Sequence, residues 1–158
     1  MIKILFVCHG NICRSPMAEF IMKKMISESN LQDKVFVSSS ATSDEALGWN
    51  IYSAAKMELD RHKIPYENRR AKQLSAIDYY KYDYIVVMDD LNMINIMKIF
   101  KGEDPNKKVK KLLSFAGKED NIPDPWYTGN FSAAYDAIYE GCEGLLKTIK
   151  SEVFHVKQ

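Results

Sequence analysis

The sequence predicts an α/β fold: a single doubly wound domain with a four-stranded parallel sheet and helices on both faces. Two observations carry that expectation. Short apolar runs of strand length alternate along the chain with longer segments of helical spacing, the pattern of a parallel sheet with crossover helices. The length, 158 residues, suits one hydrophobic core, and no repeat or linker interrupts it, so residues 1–158 are expected to form one domain.

The elements follow in order. Residues 2–7 are apolar apart from Lys3, as in a strand buried on both faces. A short loop leads to Ser15-Pro16, which has the form of a helix N-cap followed by proline at the first helical position. Met17, Ala18, Ile21, Met22, Met25 and Ile26 then keep helical spacing to about Ser29. A second strand is expected at 34–39, a helix at 52–62 ahead of Ile64-Pro65, and a third strand at 84–88. A helix at 89–100, a fourth strand at 109–115 and a closing helix from Ser132 to about Lys150 complete the set. Segments 38–48, 102–108 and 117–129 read as loops, the last holding Pro123 and Pro125. In such sheets ligands bind outside the carboxyl ends of the strands, and the first strand delivers the chain there at Cys8.

Composition narrows the functional classes. A net charge of +1 gives no general attraction to nucleic acid or to a membrane surface, and neither is expected as a partner. The basic run Lys107-Lys108-Val109-Lys110-Lys111 is expected to be a solvated strand entry. The N-terminal apolar run is too short for a signal-peptide core or a membrane span, which places the expected location in the cytoplasm. Three cysteines, Cys8, Cys13 and Cys142, are an odd number without an export signal, so a disulfide framework is not expected.

The stretch Phe6-Val7-Cys8-His9-Gly10-Asn11-Ile12-Cys13-Arg14-Ser15-Pro16 carries the chemistry. A loop between a buried strand and a helix N-terminus leaves successive backbone N–H groups without partners, and the helix dipole adds positive potential there. Such a loop attracts anions before any side chain is counted. Gly10 lets the backbone curl, and Asn11 tolerates left-handed geometry. Arg14 presents a planar fork of donors that matches two oxygens of a tetrahedral oxyanion. Cys8, at the other end, would lie beneath that anion with its thiolate favoured by the same N–H groups, a nucleophile aimed at phosphorus. Zinc does not fit, because Cys8 and Cys13 lack a second ligand pair at a suitable spacing. A nucleotide-binding loop does not fit either, since no Gly-Lys-Ser/Thr follows.

The nine residues Cys8 to Pro16, close behind the chain start, closely resemble the signature loop, C-x5-R, of the low-molecular-weight protein tyrosine phosphatases. The resemblance runs nearly end to end and implies the phosphotyrosine phosphatase I-like fold. It also implies a metal-independent hydrolase without cofactor, which splits phosphotyrosine monoesters in protein substrates through a phosphocysteine intermediate and releases inorganic phosphate. Cys8 would be the nucleophile and Arg14 the phosphate clamp, with His9, Gly10, Asn11, Ile12, Cys13 and Ser15 completing the phosphate-binding loop. Departure of a tyrosine oxygen calls for a general acid on a loop. Asp124-Pro125-Trp126-Tyr127 resembles the family's Asp-Pro-aromatic-aromatic element, which makes Asp124 the acid and later the base.

Further positions follow from the resemblance. Ser39 would hold the loop through Asn11 and Ser15, while His9, Glu45, Trp126 and Tyr127 would line the substrate cleft. Three departures stand out: Ala41 where glycine is usual, Glu45 where an aromatic often lies, and Arg69 in place of a histidine that supports Asn11. Glu45 is expected to favour basic flanking residues in substrates. Asp89, in Met88-Asp89-Asp90-Leu91-Asn92, would have a structural or capping role. Cys13 would guard Cys8 against overoxidation by joining it in a disulfide, and Cys142 is expected to be buried and inert. The molecule is expected to be a monomer.

Two other functions compete with this one. An arsenate reductase would pass oxidation to two further cysteines near the third strand, and residues 85–91 contain none. A silent phosphate or phosphopeptide binder would have no use for an acid such as Asp124.

Overall fold

The structure, a computed structural model, describes residues 1–156. Four strands form: β1 at Ile2–Cys8, β2 at Val35–Ala41, β3 at Tyr84–Val87 and β4 at Val109–Lys111. They pair in the order β2-β1-β3-β4, every neighbour parallel. The central position of β1 explains its unbroken apolar run. Ile4, Phe6 and Cys8 join a core with α1 (Arg14–Glu28), α2 (Ser53–Arg61) and α6 (Phe131–Val156). Leu5 and Val7 join a second core with Ile85, Val87, Tyr79 of α3 (Asp78–Lys81) and Ile96 of α4 (Asp90–Ile99). Ile4 through Val7 are fully buried, each worth about 1.5–3 kcal/mol of hydrophobic stabilisation. Helices therefore cover both faces, as expected.

This topology places the site. From β1 the chain crosses to β2 on one side and later returns to β3 on the other, so the carboxyl ends of β1 and β3 border a switch point in strand order. Cys8 ends one of these strands and Met88-Asp89 follows the other.

Several boundaries differ from expectation. Helix α1 begins at Arg14 with Cys13 at its N-cap position and no side-chain cap, so Ser15 lies inside the first turn. Pro16 is tolerated there because first-turn N–H groups have no helical acceptor. The expected fourth strand stops at Lys111 and continues as a 3-10 helix, Leu112–Ala116. That turn packs against α6 where Gly141 and Gly144 leave room: a Cβ at Gly144 would overlap the carbonyl of Phe115. Helix α6 runs six residues past Lys150, because Leu145, Ile149 and Val153 carry its buried stripe onward in steps of four. Two single-turn helices were not expected, α3 and α5 (Pro125–Thr128), being too short for a periodic signal. Within the basic run, Lys108 donates to the Tyr79 carbonyl and Lys111 pairs with Asp90 at 3.0 Å, so both are engaged rather than merely solvated.

Candidate active site

The loop leaving β1 is turned inside out. Its carbonyls at Cys8, His9 and Ile12 accept from the amides of Thr42, Ser43 and Tyr52 at 2.9, 3.1 and 2.8 Å. Among the described residues, the amides of Ile12, Cys13, Arg14 and Ser15 donate to no side chain and to no carbonyl outside the helix ladder. Carbonyls bonded to neighbouring segments and amides left without partners suit an anion cradle at the start of α1. This also accounts for Ser15: a side-chain cap on α1 would occupy the amides that the cradle uses.

Cys8 lies at the base, 3% exposed. Its sulfur meets the Ser15 hydroxyl at 3.0 Å and accepts from the Asn11 amide at 3.3 Å. Asn11 is fully buried and left-handed, with φ 59°, and it ties the loop together. Its amide group donates to Ser15 at 2.8 Å and to Ser39 at 2.9 Å. Ser39 in turn donates to the buried Glu19. The Asn11 carbonyl accepts from Arg69 and from the Lys72 amide. Arg69, standing where a histidine resemblance suggested support for Asn11, thus makes that contact itself. Burial lowers the Arg69 pKa, with Glu19 and Cys8 offsetting part of the effect. Ala41 presents no obstacle, being an extended residue at the end of β2 whose Cβ is buried beside Cys8.

At the far end of the loop Arg14 is 2% exposed. It donates to Asp89 and to the Ile122 carbonyl, both at 2.7 Å, and reaches Asp124 at 3.4 Å. Burial works against its charge, but Cys8, Asp124 and Asp89 overcome that and raise its pKa. Asp89 also caps α4 by accepting from Asn92, so its expected capping role is joined by a second one, orienting the guanidinium. Asp124 caps α5 through Oδ1, which accepts from the Trp126 amide at 3.1 Å, leaving Oδ2 for Arg14.

These groups border one cleft of about 220 Å³. Loop residues Cys8, His9, Gly10, Ile12, Cys13 and Arg14 line it, together with Glu45, Ala46 and Trp49 from one segment and Asp124, Trp126 and Tyr127 from another. Every residue expected in the catalytic set and in the cleft is therefore brought to one place, while Asn11, Ser15 and Ser39 form the layer beneath. Glu45 is not a lone carboxylate at the rim: it meets His9 at 2.8 Å. Trp49, Ala46 and the Arg14 contact of Asp89 escaped the sequence reading. Trp49 had one available signal, its place directly after the loop that holds Glu45. Cys13 is buried, and burial followed by the charges of Cys8 and Asp124 pushes its thiol far above the ordinary value. Cys142 is fully buried in α6, with its thiol pushed up by burial.

No helix among the described residues is long and apolar enough to cross a membrane. Comparison with known proteins extends the local geometry to the whole chain. The family model for low molecular weight phosphotyrosine protein phosphatase matches residues 3–155. A Staphylococcus aureus protein, the low molecular weight protein-tyrosine-phosphatase PtpA, is 40% identical over 152 residues, covering 94% of each chain. Among solved structures, YfkJ from Bacillus subtilis superposes with a TM-score of 0.92 at 35% identity, covering 96% of each chain. The Streptococcus pyogenes low molecular weight protein tyrosine phosphatase gives 0.85 at 35% identity, covering 98% of this chain and 99% of the other. The Drosophila arginine phosphatase DARP gives 0.85 at 34%, covering 94% and 98%. A cysteine-to-arginine anion cradle at the switch point of a single α/β domain, matched over nearly the whole length, has one reading: this chain belongs to the low molecular weight phosphotyrosine protein phosphatase family.

Proposed function

We propose that this protein hydrolyses phosphotyrosine monoesters in protein substrates through a phosphocysteine intermediate, with Cys8, Arg14 and Asp124 as its catalytic residues. The observation that carries the reading is their convergence on one cleft, Asp124 at 3.4 Å from Arg14 and the Cys8 sulfur within the amide cradle. The Cys8 thiolate attacks phosphorus and the bond to the aryl oxygen breaks. Asp124 delivers its proton to that oxygen, so tyrosine leaves neutral. The Asp124 carboxylate then takes a proton from water, the resulting hydroxide attacks phosphorus, and the phosphorus–sulfur bond breaks to regenerate the thiolate and free phosphate. Arg14 and the loop amides hold the three equatorial oxygens as charge builds on them.

Trp49, Trp126 and Tyr127 supply the aromatic walls, and their depth suits a phenyl ring better than the short side chain of phosphoserine. Asn11, Ser15 and Ser39 keep the loop in shape. Cys13 serves as a guard: peroxide oxidises Cys8 to the sulfenic acid, the Cys13 thiol displaces water to form a disulfide, and an external thiol reduces it. The protein works as a monomer in the cytoplasm, without cofactor and without nucleic acid or membrane as a partner.

The test is hydrolysis of a phosphotyrosyl peptide near pH 6 with a chelator present, with Cys8→Ser and a phosphoarginine peptide alongside. Turnover of the phosphotyrosyl peptide that vanishes in Cys8→Ser is expected. Phosphate binding without turnover would replace the reading with a silent binder, and faster turnover of phosphoarginine, a probe prompted by the structural neighbour named an arginine phosphatase, would change the substrate class. Size-exclusion chromatography and cell fractionation check the monomer and the location.

A further inference from the structure

Tyr52 touches both halves of the catalytic machinery without lining the cleft itself. Its backbone amide donates to the Ile12 carbonyl of the phosphate loop at 2.8 Å. Its ring lies edge-on to Trp126 of the general-acid segment, centroids 5.0 Å apart, and stacks on Phe131 at the start of α6 at 5.8 Å. The ring is 38% exposed, so it fills no core, and its hydroxyl has no hydrogen-bond partner among the described residues. Those aromatic contacts tie its side chain to the general-acid segment and to α6.

The segment it touches has few anchors of its own, the buried Pro125 and the contact of Asp124 with Arg14 at 3.4 Å. Helix α5 is a single turn, too short to persist without tertiary contacts. Its internal bonds are the Asp124 cap and the amides of Tyr127, Thr128 and Gly129 reaching back to Asp124 and Pro125. Trp126 is 49% exposed and Tyr127 79%. Upstream, Ile122 is anchored by burial and by its bond to Met88, but nothing there directs the Trp126 ring.

We propose that Tyr52 is a positioning residue that braces the general-acid segment against the phosphate loop, holding Trp126 as a cleft wall and Asp124 over the leaving oxygen. The proposal rests on the phosphatase reading. An aryl ester with a poor leaving group needs the proton from Asp124 more than one with a good leaving group. Loosening the brace should therefore penalise the two unequally.

The experiment compares kcat/KM for phenyl phosphate and p-nitrophenyl phosphate in wild type, Tyr52→Phe and Tyr52→Ala. A second measurement follows acrylamide quenching of Trp126 fluorescence in a Trp49→Phe background. Tyr52→Ala should lose about tenfold on phenyl phosphate, the rate equivalent of one aromatic pair, and clearly less on p-nitrophenyl phosphate. Tyr52→Phe should stay near wild type, and Trp126 should become more quenchable only in Tyr52→Ala. An unchanged ratio between the two esters, or unchanged quenching, would overturn the proposal. Should Tyr52→Ala not fold, Tyr52→Leu keeps the bulk and is read by the same two criteria. A wild type inert on both esters would sink the phosphatase reading instead, and the quenching result would still decide whether Tyr52 braces Trp126.

Discussion

The phosphate loop and the acid segment face each other across one cleft and are built in opposite ways. Asn11, Arg14 and Ser15 are buried, and the loop is held by bonds to β2, to the segment after α2 and to the start of α2. Around Asp124 the chain is a one-turn helix with exposed aromatics and a single ion pair across the cleft. The contrast fits what the proposed mechanism asks of each part. Amides aimed at a developing oxyanion act without reorganisation only if they are already in place. A group that donates a proton to one oxygen and then takes one from water must work at two positions, and a lightly held segment allows that.

Four predictions bear on this contrast, from the largest effect to the smallest. Cys8→Ser should bring turnover down to background while leaving the melting temperature close to wild type, since the swap is nearly isosteric; residual catalysis above background would mean that the nucleophile lies elsewhere. Asp124→Ala should cost about 10²–10⁴ in kcat/KM for a phosphotyrosyl peptide. The same change should lower stability by only about 1 kcal/mol, the worth of an N-cap. A large loss of stability would show the acid segment to be as deeply built in as the loop.

Asn11→Ala inverts the pattern by acting through structure. It removes the partners of Ser15, Ser39 and Arg69 and places a Cβ-bearing residue without a helpful side chain at φ 59°. Denaturant melts should show a loss of about 3 kcal/mol, from orphaned buried groups plus left-handed strain. A loss below about 1 kcal/mol would show that the network is not what rigidifies the loop.

The smallest effect concerns Cys13. Its folded pKa is raised, so the fold favours the protonated thiol; that contribution is complete below the unfolded value and is lost only as pH rises toward the folded one. Iodoacetamide at pH 7 should accordingly add one label, on Cys8, seen by intact mass and peptide mapping. A second label on Cys13 would show that its thiol is not held protonated.

Much of the site was legible because its chemistry is contiguous. Cys8, Gly10, Asn11 and Arg14 lie within seven residues, and a strand-to-helix loop brings them together whatever the rest of the chain does. Asp124 was legible from the proline and aromatics beside it. Asp89 as a partner of Arg14 was not, since the two are 75 residues apart and meet only because β1 and β3 are neighbours. Trp49 and Tyr52 escaped for the same reason, as an aromatic in a loop gives no local sign of what it will face. Residues 112–115 misled because Leu112, Leu113 and Phe115 suit a strand as well as a 3-10 turn, and the two glycines of α6 decided between them.

The sequence by itself determined the alternating α/β order, the apolar central strand and the run from nucleophile to clamp, because each depends on periodicity or spacing over a few residues. Tertiary structure alone decided the strand order that makes a switch point, the pairing of Glu45 with His9, the use of Arg69 to hold Asn11, and the aromatic contacts of Tyr52. Those are contacts between segments far apart along the chain, and their energies depend on distances that no local pattern encodes.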